Sequence, residues 1–125
     1  FKEMDTAAKI HKVTTMDPTV MDAKTVIKMA TIDGARTLGL EDRIGSIETG
    51  KCADIIILDM KKPHLTPLYN SYSHIVYAAS GSDVSTTIVG GRIVMKDRRL
   101  LSMDVQEIMG KVRRVAGKIR GSNII

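Results

Sequence analysis

The sequence predicts a mixed α/β chain, and three observations carry that expectation. Apolar residues recur at helical spacing over 23–30 and again over 105–119. A short β-branched run, 53–58, is bracketed by Asp54 and Asp59. Gly90-Gly91 separates two further short runs, 86–89 and 92–96, and glycine tolerates positive φ at both positions of a tight hairpin turn.

The elements follow in order. In "FKEMDTAAKIHKV", residues 1–13, Phe1, Met4, Ala8 and His11 fall near one helical face with Ala7 beside them. No cap precedes Phe1, so the chain reads as a piece of a longer protein. The helix should fade near Val13 and Thr14. Asp17-Pro18 then favours a turn, because proline disfavours helix in the residue before it. Asp22 is a candidate N-cap for a helix whose apolar face is Ala23, Val26, Ile27 and Ala30. Thr31 is expected to cap a further short helix, 32–38, and Gly39 to end it in the left-handed region.

Thr49-Gly50-Lys51 reads as a turn, and 53–58 as a buried strand. Residues 61–67 form a loop with two prolines, and 75–79 suit a short helix. After the hairpin, "KDRRLLSMD" leads to a last helix. Asp104 and Glu107 are spaced for reciprocal capping at its start. Val105, Ile108, Met109, Val112, Val115, Ala116 and Ile119 form its apolar stripe, with Lys111, Arg113, Arg114, Lys118 and Arg120 on the other faces. "GSNII" reads as a frayed end.

At 125 residues one domain is expected, long enough to bury a core. There are one Phe, three Tyr, no Trp and eight Met, and methionine fills irregular core gaps. The net charge of +5 suits a solvated surface, with a small nucleic-acid binder as the other reading. The last helix lacks the aromatic interleaving that single-strand binders use. Cys52 stands alone, which excludes an intrachain disulfide and makes a reducing cytoplasm the simplest compartment. No stretch of sequence is long and apolar enough to span a membrane.

Gly45, Gly50 and Lys51 fit the phosphate-loop frame G-x-x-x-x-G-K-[ST], with Cys52 where Ser or Thr belongs. Such a loop needs a strand before it and a helix after it, so that helix N–H groups face the phosphate. Here the expected order is the reverse, and a thiol lacks the hard oxygen that Mg²⁺ prefers. The turn reading is the stronger one.

The histidines His11, His64 and His74 show no metal-pair spacing. His74 with Tyr69, Tyr72 and Tyr77 suggests either a pocket lining or, more simply, a packed polar–aromatic corner. Asp54 and Asp59 suit turn capping better than acid–base work. Cys52, without a partner base, reads as a small buried thiol.

One longer pattern explains why no local active site emerges. "TVIKMATIDGARTLGLEDRIGSIETGKCADIIILD", residues 25–59, resembles the C-terminal signature of the metal-dependent amidohydrolase superfamily. The shared elements are Gly-Ala-x-x-Leu-Gly-Leu, Ile-Gly-Ser-Ile, and Gly-Lys-x-Ala-Asp before an aliphatic run closing on Asp. "VYAASGSDVSTTIVGGRIVM", residues 76–95, resembles the closing hairpin of that superfamily. With "FKEMDTAAKIHK" and "PLYNSYSHIVYAASG", the nearest branch is that of cytosine deaminases and chlorohydrolases.

The resemblance implies a C-terminal portion of a (β/α)₈ barrel beside the C-terminal half of a composite β-sandwich. Residues 1–42 would be the last barrel helices, 43–103 the sandwich half, and 104–125 the terminal amphipathic helix and tail. It implies a parent hydrolase in which a divalent metal, zinc or iron, activates a water that displaces an amine from a heterocycle. The metal ligands would lie before Phe1. No residue here matches a family catalytic, metal-binding or substrate-binding motif, so the chain alone is expected to be inactive and to bind no cofactor. Gly45 and Gly50 would serve chain turning, with Lys51 facing solvent. Missing sandwich strands would leave open edges that favour self-association. A stand-alone interaction module remains the other class.

Overall fold

A computed structural model describes residues 1–121 as a helical corner joined to a small antiparallel sheet. The last four residues of the expected frayed end lie outside the described residues.

Helix α1 runs Lys2–Thr15, slightly past the expected end, and Met16 closes it at φ 54° with its N–H on the Lys12 and Val13 carbonyls. Lys12 Nζ reaches over the following loop to the Val20 and Met21 carbonyls at 2.5 and 2.8 Å. Helix α2, Ala23–Lys28, starts where its cap predicts: Asp22 Oδ1 accepts the Thr25 N–H at 3.0 Å.

Thr31 starts no new helix. α2 continues through a π-helical turn, Met29–Asp33, into α3, Gly34–Thr37, and the Thr31 hydroxyl donates back to the Ile27 carbonyl at 2.7 Å. A hydroxyl bonded one turn back joins the helix it sits in, and a π turn absorbs the extra residue without a break. Gly39 then stops the run at φ 66°, as expected.

The sheet has four strands in the order β1-β2-β3-β4, all antiparallel. They are β1 Ile55–Leu58, β2 Val84–Val89, β3 Arg92–Lys96 and β4 Arg99–Leu100. The ladder sets Ile55 opposite Ile88 and Ile57 opposite Thr86, then shifts by one residue at Leu58. Gly90 and Gly91 turn the chain at φ 54° and 77°, confirming the hairpin. A second tight turn, missed in the sequence, joins β3 to β4 through Asp97 and Arg98, both at positive φ. The Arg98 guanidinium donates to the Gly81 and Val84 carbonyls at 2.9 and 3.2 Å, which holds that backbone conformation.

Between β1 and β2 lie a short 3₁₀ turn, Pro63–Leu65, helix α4 (Ser71–Tyr77), and a second 3₁₀ turn, Gly81–Asp83. The core sits where α1, α2 and α4 meet. Ala8, Ala23, Val26 and Val76 are buried together, with Met4, Met21 and Ile27 packed against them. Five of those seven are small or β-branched, and the two methionines fill the gaps between them. Helix α5, Val105–Gly121, is exposed along its length apart from the half-buried Gly110.

The strand expected to be buried is not. Ile56 and Ile57 in β1 are 50% and 49% exposed. A continuous aliphatic run signals a strand covered on both faces, and the described residues cover this one only in part.

Gly45 joins the two halves. Its φ is +91°, and a Cβ there would lie 2.8 Å from Ala35 Cβ, 2.9 Å from Ile32 Cα and 3.1 Å from the Thr31 carbonyl oxygen. Gly39, at φ +66°, has open space around its missing Cβ. Gly39→Ala therefore meets only the left-handed cost of about 1–2 kcal/mol, whereas Gly45→Ala adds overpacking of about 1–3 kcal/mol on top. Urea unfolding of both variants should show Gly45→Ala the more destabilised.

Candidate functional site

Two features concentrate polar chemistry: an open groove between the π turn and β1, and a buried carboxylate at Asp83.

The groove encloses about 450 Å³ and is walled by Ala30 and Thr31 on one side and residues 44–48 and 51–56 on the other. Its chemistry-bearing residues are Ser46, Glu48, Lys51, Cys52 and Asp54. Lys51 Nζ donates to Ser46 Oγ at 2.6 Å and pairs with Glu48 at 3.2 Å, and the Ser46 hydroxyl donates to Glu48. The Ser46 hydroxyl and then Lys51 hold the Glu48 carboxyl below its ordinary range. Lys51 is thus no solvent-facing turn residue: its side chain is 11% exposed, folded back over the turn to reach these two partners. Gly50, at φ 92°, provides the turn that lets it do so.

Asp54 holds a neighbouring turn, as strand-end aspartates do. Its Oδ1 accepts the Gly90 N–H at 2.7 Å, while the Ala53 carbonyl accepts the Gly91 N–H at 3.0 Å. Asp59 accepts the Lys61 N–H at 3.0 Å. Cys52 is exposed, contrary to the buried thiol expected. Its N–H donates to the Arg43 carbonyl at 2.8 Å. Ser46, Glu48 and Lys51 serve one another, and no histidine is among the lining residues to activate the thiol. A helix precedes the glycines and a strand follows, so the phosphate-loop arrangement is absent here.

The second feature was not found in the sequence. Asp83 is 1% exposed, and its carboxylate is the centre of a network. Lys62 Nζ donates to Oδ1 at 2.9 Å and also to the Ser82 carbonyl. The Ser80 N–H and hydroxyl donate to Oδ2 at 2.8 and 3.1 Å, and His64 Nε2 lies 3.2 Å from the same oxygen. Ser80 and Asp83 form a capping box around the short 3₁₀ turn. The Lys62 ammonium, then the Ser80 N–H, drive the Asp83 carboxyl far below its ordinary value against the opposing effect of burial. Since the Asp83 carbonyl also accepts the Asp59 N–H at 2.8 Å, the network ties the loop after β1 to the start of β2.

His74 does not sit in a packed aromatic corner. Tyr69 is 88% exposed, and Tyr72 and Tyr77 are also exposed. The ring nitrogens instead face backbone carbonyls, Nδ1 at 2.9 Å from Asn70 and Nε2 at 3.1 Å from Pro67. A neutral ring donates to only one of these, so the tautomer decides which loop carbonyl is held. His11 lies on the exposed side of α1, where a helix-surface residue is expected.

Among the described residues, no group of three or more His, Cys, Asp or Glu side chains could hold a metal ion. His64 and His74 are each committed to other partners. Among the described residues no helix is long and apolar enough to cross a membrane.

A family model described as "Amidohydrolase family" matches residues 1–94. The chain is 55% identical over 96% of its length to a 5-methylthioadenosine/S-adenosylhomocysteine deaminase from Syntrophobacter fumaroxidans. It is 49% identical over 95% of its length to a 5'-deoxyadenosine deaminase from Methanosarcina mazei. It spans only 27% of the length of each of these relatives. A zinc-bound adenosine deaminase from Xanthomonas campestris superposes over 96% of this chain and 27% of its own, with a TM-score of 0.86 and 37% identity. An atrazine chlorohydrolase from Arthrobacter aurescens shares the fold at a TM-score of 0.77 and 20% identity, over 90% of this chain and 25% of its own.

The depressed Asp83 carboxyl makes stability depend on pH. A carboxyl that is easier to ionise in the folded chain contributes stability above its unfolded value, 3.8, and loses that contribution as pH falls below it. Asp83→Asn should melt below the unsubstituted chain at pH 7, and the gap should narrow as pH drops below 3.8. Melting temperatures across pH 3–7 by circular dichroism test this; a pH-independent gap would contradict it.

Proposed function

The chain belongs to the amidohydrolase family, and from that premise we infer that it is the scaffolding portion of a metal-dependent deaminase of adenosine-like nucleosides or related heterocycles. The observation that supports this most is the 55% identity, across nearly the whole chain, to a 5-methylthioadenosine/S-adenosylhomocysteine deaminase. The substrate class follows the names of the three deaminases above, which specify adenosine or its derivatives.

On this reading the residues that hold a divalent metal and bind the nucleoside belong to the roughly three-quarters of the relatives' length that this chain does not span. Zinc is the metal of the Xanthomonas deaminase, with iron the other candidate for the parent. The side chains described above then have structural work only. Residues 1–42 would contribute helices to the barrel, 43–103 the C-terminal half of the β-sandwich, and 104–125 the terminal amphipathic helix and tail. A cytoplasmic setting fits a nucleoside-processing enzyme and the single thiol.

Among the described residues the sheet has two open edges, the outer sides of β1 and β4. Unpaired edges template pairing with another chain, and the half-exposed Ile56 and Ile57 give β1 the apolar character to use it. The isolated chain therefore self-associates through its sheet.

The test compares the isolated chain with a chimera in which these 125 residues replace the matching segment of the Syntrophobacter enzyme. With zinc added, the chimera should release ammonia from 5'-methylthioadenosine or adenosine. The isolated chain should release none and should sediment as dimers or larger species as its concentration rises. A folded chimera without deaminase activity, or activity in the isolated chain, contradicts the reading.

A further inference from the structure

We draw no further inference here: the strongest candidate, the open groove between the π turn and β1 with the exposed Cys52 thiol on its wall, carries nothing, because its Ser46, Glu48 and Lys51 side chains are spent on one another and nothing in the structure shows what covers its apolar lining.

Discussion

The fold depends on a bare stretch of backbone at Gly45 lying directly against the π turn of the α2 helix. With Ala35 Cβ and Ile32 Cα under 3 Å from where a side chain would begin, only glycine fits there. Its positive φ is a second, independent reason. That contact fixes where the chain leaves the helices. Everything after it is placed by short bonds: Cys52 N–H to the Arg43 carbonyl, Lys51 back to Ser46 and Glu48, and Asp54 across to Gly90. The motif Gly-x-x-x-x-Gly-Lys-x-Ala-Asp thereby resolves into separate tasks. One glycine allows close approach, the other a turn, the lysine ties the loop to itself, and the aspartate holds the distant hairpin.

Asp83 performs the corresponding task at the far end of β1. Burying a carboxylate is costly unless charge and hydrogen bonds compensate. Here an ammonium, a backbone N–H, a hydroxyl and an imidazole do so together. The partners come from the loop after β1 and the turn before β2, so the network fixes the excursion that contains α4. Arg98 adds a third tie from the β3–β4 turn to the same segment, through Gly81 and Val84. Polar side chains in this chain act as fasteners between backbone segments, which is the use expected of a scaffold.

Local signals in the sequence were legible where the physics is local. The Asp22 and Asp104 caps, the Gly39 stop and the Gly90-Gly91 turn each depend on a few neighbouring residues or on one backbone conformation. Misreadings arose where the answer depends on distant residues. Lys62 and His64 are some twenty positions from Asp83, and the one local signal, the capping-box spacing Ser80-x-x-Asp83, went unread. Aliphatic patterning is a statement about burial in the complete molecule. The isoleucines of β1 and the stripe of α5 therefore read as covered but are exposed over the described residues. Cys52 and Lys51 exchanged their expected environments, the lysine because its loop folds back on Ser46 and Glu48. The β3–β4 turn escaped notice because Asp-Arg is an unusual pair to hold positive φ, and its support comes from carbonyls more than ten residues earlier.

The central claim is that this chain builds and supports an amidohydrolase without holding the centre that performs the chemistry. Elemental analysis tests it most directly. The chain is produced in medium supplied with zinc and iron, passed through gel filtration, and its metal content measured per polypeptide. The account predicts that neither metal stays with the protein in stoichiometric amount. One tightly held zinc or iron per chain would contradict it, because the ligands would then have to be among these residues.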